Sequence, residues 1–173
     1  MARIVIEDLV SPEQKKGKPQ VKRSRTRDAD PPDVTLINLN LMLINNAGHF
    51  DQQNYIPLGL LYIAACLERE GYNVEFIDYQ LFSHARKFDA DLFINKIGKP
   101  AKLVGFSSMS NLLPFTILCA EKLKKRYPEC KIVLGGVGPS PVAGQIIKAF
   151  PFIDSVVEGD GELAMLDFIK GDI

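Results

Sequence analysis

Residues 131–150 read KIVLGGVGPSPVAGQIIKAF. KIVLGG (131–136) is a short apolar run of strand type, and PVAGQIIKAF (141–150) is a helix whose proline suits a first turn. Between them stand Gly135, Gly136 and Gly138, then Ser140 between two prolines. Glycine costs backbone entropy and packs nothing, so a Gly pair at the end of a buried strand needs a reason. Two are open: a tight turn into the helix, or a large flat ligand lying against bare backbone.

The same strand–loop–helix unit recurs in both directions along the chain. VTLINLN (34–40) is uncharged and rich in branched residues, as expected of a strand covered on both faces. A long polar loop, LMLINNAGHFDQQNY, follows it. PLGLLYIAACLEREGY (57–72) predicts a helix that opens on Pro57 and stops at Gly71. NVEFIDY (73–79) is the second strand, with a helix near 88–98 after it. LVGFSSMS (103–110) is the third strand, and NLLPFTILCAEKLKKRYP a helix closed by Pro128. After the fourth unit, DSVVEGDGE (154–162) is a fifth strand and turn, and LAMLDFIKG a last helix. Leu58, Leu61 and Ile63, and Leu118 with Leu123, are expected to face the core. Five such units predict an α/β fold: a five-stranded parallel sheet of flavodoxin-like (Rossmann-like) order 2-1-3-4-5, with helices on both faces.

With 173 residues, 46% hydrophobic and 24% charged, the chain reads as one ordinary globular domain. Lys and Arg balance Asp and Glu at 21 each, so no overall field attracts nucleic acid or an anionic membrane. No apolar run is long enough to span a bilayer, and the opening MARIVIEDLV reads as too acidic for a secretory signal. Cys66, Cys119 and Cys130 are odd in number and widely spaced, which suggests reduced thiols and a cytoplasmic location. Residues 11–33 hold seven Lys and Arg with almost nothing apolar. We therefore expect a basic, disordered arm over 1–31 and a folded domain over 32–173, the arm being either a docking tail or a solvated leader.

Ligands of such sheets bind beyond the carboxyl ends of the strands. There the sequence excludes several chemistries. The first strand ends in Asn40 and the third in Ser107 and Ser108, so the acidic cluster of a phosphoacceptor domain is missing. The loop after the first strand is too long and too poor in hydroxyls for a flavin phosphate, and neither GxxxxGK[ST] nor a GxGxxG after that strand occurs. What remains is small and uncharged: Ser107, Ser108 and Ser110, then Gly135, Gly136 and Gly138, then Gly159 and Gly161. A rim that bare suits a large planar ligand held by backbone and hydroxyl groups, although tight turns use the same residues.

PLGLLYIAACLEREGYNVEFIDY, LVGFSSMSN, KIVLGGVGPSP and DSVVEGDGE, in that order over roughly 34–170, resemble the cobalamin (B12)-binding domain of class B radical S-adenosylmethionine proteins. That family shows a P-x-G-L helix opening, an Asp closing the second strand, Gly-Phe-Ser on the third, Gly-Gly on the fourth and Gly-Glu-Gly-Glu after the fifth. Here the last is Gly159-Asp160-Gly161-Glu162. The resemblance implies cobalamin as cofactor, with the corrin over the loops after strands three and four and its nucleotide tail between the sheet and flanking helices. Ser107, Ser108, Ser110, Gly135, Gly136, Gly138, Gly159, Gly161 and Glu162 become the candidate cofactor-binding residues. It also implies methyl transfer or related radical chemistry, carried out by a radical S-adenosylmethionine barrel on a partner subunit or a missing C-terminal domain. The chain has no CxxxCxxC, so it holds no iron–sulfur cluster, and no residue of it is assigned a catalytic role. Related mutases carry D-x-H-x-x-G after the first strand, whose His binds cobalt. His49 stands in that loop as the candidate metal ligand, without the Asp or the Gly, and a surface histidine is the competing reading. Asp78 is either a strand-end cap or a partner for a loop or ligand amide, and His84 reads as solvated. The alternative for the whole chain is a degenerate α/β interaction or regulatory domain that binds no corrin.

Overall fold

The structure is a computed structural model and describes residues 23–25, 31–46, 49–81 and 88–171. Five parallel strands form its centre: β1 (Val34–Asn38), β2 (Val74–Asp78), β3 (Leu103–Ser107), β4 (Lys131–Gly135) and β5 (Ser155–Val156). Their spatial order is β2-β1-β3-β4-β5, the flavodoxin-like order expected from the repeated units. Strand β1 is buried along its whole length, as a doubly covered parallel strand must be.

Helices α1 (Leu58–Arg69) and α5 (Gly161–Lys170) cover one face. There Leu60, Leu67, Met165 and Leu166 pack on Leu36, Val133 and Val157. Helices α2 (Ala90–Ile97), α3 (Leu113–Arg126) and α4 (Ala143–Ala149) cover the other. On that side Phe93, Phe115, Leu123 and Ile146 meet Ile37, Phe106, Ile132 and Leu134. Local signals set the helix ends. The Asp89 carboxylate accepts from the Leu92 N–H at 2.9 Å to cap α2, and Pro114 stands in the first turn of α3.

Three expectations change. The polar loop after β1 contains an antiparallel hairpin, Met42–Asn46 with His49–Gln53, apart from the main sheet. Its second strand, HFDQQ, carries no apolar alternation in the sequence that would mark it as a strand. On α1 the buried set is Leu60, Ala64 and Leu67, while Leu58 is 59% exposed and Leu61 and Ile63 are half-buried. A 60/64/67 spacing keeps to one face of a 3.6-residue helix; 58/61/63 does not. On α3, Leu123 is buried and Leu118 lies outward.

Residues 1–22 and 26–30 of the expected arm lie outside the described residues. Between them Arg23–Arg25 runs as a short strand antiparallel to β2, at the sheet's edge. Among the described residues no helix is long and apolar enough to cross a membrane.

Candidate functional site

The carboxyl ends of β1, β2 and β3 are tied together by buried polar side chains. Asn38 donates from Nδ2 to Asp78 Oδ1 at 3.0 Å, and the Gln80 N–H donates to the same oxygen at 3.0 Å. The Gln80 side chain returns to Tyr55, accepting from its N–H at 2.9 Å and donating to its carbonyl at 3.0 Å. The Tyr55 hydroxyl donates to Asn38 Oδ1 at 3.3 Å. Loss of water raises the Asp78 pKa, against the opposing effect of the Gln80 and Asn38 hydrogen bonds. Asp78 is therefore a strand-end cap, with its carboxylate engaged inside the protein. Asn40 extends the network to the next loop, where its Oδ1 accepts from the Met109 N–H at 2.6 Å.

The loops after β3 and β4 close on each other through backbone. The Ser108 N–H donates to the Gly135 carbonyl, and the Gly138 N–H to the Ser108 carbonyl, both at 3.0 Å. A Cβ on Gly138 would stand 2.7 Å from the Met109 carbonyl carbon. One on Gly136, whose φ is +99°, would stand 2.9 Å from the Ser108 carbonyl oxygen. These two glycines are bare because another strand's loop passes against them. Ser140 completes the closure by donating to the Val157 carbonyl at 3.0 Å.

Beside that seam, on the α1/α5 face, lies a cavity of about 170 Å³. Its floor is a row across the sheet: Leu36 stands opposite Gly105, and Gly105 opposite Val133. One pleat nearer the mouth the row is Asn38, Ser107 and Gly135. Leu60, Ile63 and Met165 wall it from the helices, and Val157 from the side of β5. Gly135 faces this space freely, since the nearest side-chain atom to an added Cβ is Val157 Cβ at 4.0 Å. Nothing lies within 4 Å of a Cβ added to Gly59 or Gly159. Gly161 is different: its Cβ would meet Ile63 Cδ1 at 2.6 Å, so its bareness lets α5 approach α1. Glu162, in the first turn of α5, stands at the cavity with Asp160 before it. Carboxylates there are favoured by the helix dipole.

The fold thus gathers Ser107, Gly135, Gly136, Gly159, Gly161 and Glu162 around one cavity. Ser108, Ser110 and Gly138 are not among its lining residues. Ser108 is buried, and its hydroxyl is bonded to the Met109 carbonyl and to Thr116. Ser110 is exposed at the start of a short turn. His49 opens the second hairpin strand, with its backbone opposite Asn46; its side chain lies outside the described residues, as does His84 altogether. Among the described residues no three His, Cys, Asp or Glu cluster as a metal site. Gly59 and Gly105, which belong to the P-x-G-L and Gly-Phe-Ser motifs but are not among the candidate binding residues, also line the cavity. The signal was present: Gly59 follows Pro57 in a first helical turn, and Gly105 interrupts a strand otherwise made of bulky residues.

The family model described as B12 binding domain matches residues 51–169. The hopanoid C-3 methylase of Methylococcus capsulatus is 32% identical over 109 residues, 61% of this chain and 20% of that protein. The anaerobic magnesium-protoporphyrin IX monomethyl ester cyclase of Rubrivivax gelatinosus is 29% identical over 119 residues, 67% of this chain and 20% of that protein. The chain spans about a fifth of the length of these curated relatives. Among solved structures, the apo form of OxsB, a cobalamin-dependent S-adenosylmethionine radical enzyme, superposes with a TM-score of 0.55 at 24% identity. That match covers 82% of this chain and 19% of OxsB, and it shows likeness of fold.

Proposed function

The chain belongs to the B12-binding domain family, and from that premise we propose that it is the cobalamin-holding module of a radical S-adenosylmethionine system. The observation that carries this reading is the glycine-floored cavity at the carboxyl edge, beside the seam between β3 and β4. A macrocycle would rest on that seam, where backbone hydrogen bonds and two close-packed glycines join the β3 and β4 loops. Ser107, Gly135, Gly136, Gly159, Gly161 and Glu162 would hold the corrinoid around the mouth, with Gly59 leaving open space beside them and Gly105 on the floor against Leu36 and Met165. Ser108, Ser110 and Gly138 would shape the seam from behind. When bound, the corrinoid supplies cobalt-centred methyl-transfer or related radical chemistry. The chain's own groups orient it and exclude water.

The catalytic partner is a radical S-adenosylmethionine barrel, on a separate subunit or in the same longer protein, and the setting is cytoplasmic. The mouth's surroundings favour such a cover. Ile56 (69% exposed), Leu58, Val137 (72%) and Leu163 (73%) stand on loops and first helical turns at the carboxyl edge, an apolar rim of the kind that marks an interaction surface.

The test is to mix the purified protein with hydroxocobalamin, separate it by gel filtration and record the visible spectrum. Co-eluting corrin bands are expected; their absence overturns the reading. Gly135→Val should remove those bands while the protein stays folded, because an added Cβ there meets no side-chain atom closer than Val157 Cβ at 4.0 Å. His49 as cobalt ligand is checked in the same assay. His49→Ala then changes the bound spectrum, and an unchanged one assigns His49 no contact with the metal.

A further inference from the structure

We infer that Asn40 is a positioning residue for the corrinoid: it holds the Met109 peptide, and through it the loop after β3, where the seam needs it. The inference rests on the function proposed above. Asn40 is 5% exposed and is not among the residues that line the cavity, so its effect on a ligand passes through its partners.

Alternation along β1 and just past its end puts the residue there. Ile37, Leu39 and Leu41 enter the core beneath α2 and α3, which turns Asn38 and Asn40 to the other side of the chain. The Asn40 N–H donates to Asn38 Oδ1 at 3.3 Å, and Asn38 is itself held by Asp78 at 3.0 Å. The side chain therefore starts from a fixed root. A backbone N–H can only donate, so the 2.6 Å contact with Met109 turns the amide oxygen toward that loop. Nδ2 is then left facing Ser107 Oγ at 3.4 Å. One primary amide meets both the donor and the acceptor. Alanine would meet neither.

Met109 is where the shape of the seam is decided. Its carbonyl accepts from the Ser108 hydroxyl at 3.0 Å and from the Leu112 N–H at 3.1 Å, both within its own loop. Its N–H is the end that reaches the β1 side. The β4 loop closes against the same peptide, so tightly that a Cβ on Gly138 would stand 2.7 Å from the Met109 carbonyl carbon. A fit that close tolerates little movement. Without Asn40, the Met109 peptide keeps the contacts inside its loop and loses its tie to β1, and Gly138 loses the fixed surface on which it packs. A corrinoid would then have to order that loop on binding, which costs affinity.

The experiment compares the intact chain with three variants. Asn40→Ala removes both side-chain contacts. Asn40→Asp keeps the acceptor for the Met109 N–H, and the Ser107 hydroxyl can turn to donate to the new carboxylate. Thr35→Val removes buried hydrogen bonds at the other end of β1, to Glu75 and from the Ala101 N–H. Urea midpoints report what each change costs the fold. Amide hydrogen exchange at Met109, followed by NMR without ligand, should quicken about tenfold or more in Asn40→Ala and stay near the parent rate in the other two. The hydroxocobalamin dissociation constant should rise about 10- to 100-fold in Asn40→Ala, the range for a buried donor left unpaired. It should stay within about threefold in Asn40→Asp and Thr35→Val. An unchanged Met109 exchange rate in Asn40→Ala overturns the anchor. Equal losses of affinity in Asn40→Ala and Thr35→Val, at matched losses of stability, overturn the positioning role. Should Asn40→Ala not fold, Asn40→Asp decides: slow exchange with near-parent affinity supports the anchor, and fast exchange or a tenfold weaker complex overturns it. A parent protein that binds no hydroxocobalamin overturns the proposed function instead, while Met109 exchange still reads the anchor.

Discussion

Asp78 shows how much of the carboxyl edge is built from inside. Its Oδ1 takes hydrogen bonds from Asn38 and from the Gln80 backbone, and the Gln80 amide reaches both oxygens at 3.2 Å. Even so, desolvation outweighs these bonds and the pKa stays raised. An acid whose folded pKa is raised favours the fold below its unfolded value, near about 3.9, and that contribution is lost as pH rises through the folded pKa. Asp78→Asn removes the titration but turns one Gln80 contact into donor facing donor. The variant should therefore lose a fixed amount of stability at low pH and recover part of the difference as pH rises. Urea unfolding midpoints of both proteins, followed from about pH 4 to neutrality, check this; parallel curves would show that Asp78 does not titrate in the window. Sequence alone left Asp78 between a cap and a ligand contact, because the residue that satisfies it, Gln80, is only two positions away and gives no pattern of its own.

At the scale of elements, the bare strand ends do two different jobs. Gly136 and Gly138 are demanded by the seam between the β3 and β4 loops, while Gly135 and Gly59 leave space. Gly136→Ala and Gly138→Ala should each destabilise by about 1–3 kcal/mol, through a left-handed φ in the first and a backbone clash in the second. Gly135→Ala should fall within about 0.5 kcal/mol of the parent. Thermal or urea unfolding of the three variants checks the ordering, and a large loss at Gly135 would mean that the space is not open. The Gly pair was legible as a place without bulk, but its division of labour was not, since identical residues at 135 and 136 differ only in what crosses above them. The sheet order was legible because doubly covered strands such as VTLIN must be uncharged. The hairpin at 42–53 escaped notice for the opposite reason. It forms a sheet of its own, and HFDQQ shows none of the apolar alternation by which a strand is read from sequence. Helix α1 was legible but its phase was not, because Leu58 looks like a core residue and instead belongs to the exposed rim.

For the whole molecule, the sheet's two edges are finished differently, and that bears on what the basic arm does. Beyond β5 nothing pairs among the described residues, but that strand is only two residues long. Strand β2 has five residues, and its free edge is covered by Arg23–Arg25, running antiparallel with Arg25 opposite Glu75. A long open edge invites pairing with other chains. We propose that residues 32–173 are the folded unit and that 1–31 is an appended basic arm, whose stretch at 23–25 shields β2. A protein beginning at Pro32 should then still unfold cooperatively, less stable by about 1–3 kcal/mol for the few net hydrogen bonds lost. It should also self-associate more readily, as measured by light scattering. Its affinity for cobalamin should stay within about twofold, since the cavity's lining among the described residues lies on β1, β3, β4, α1, α5 and the chain around β5. Loss of cooperative unfolding would place the arm inside the domain. A tenfold loss of cobalamin affinity with stability intact would instead make the arm part of the binding site, brought there from a region of sequence that carries eight of the chain's Lys and Arg residues.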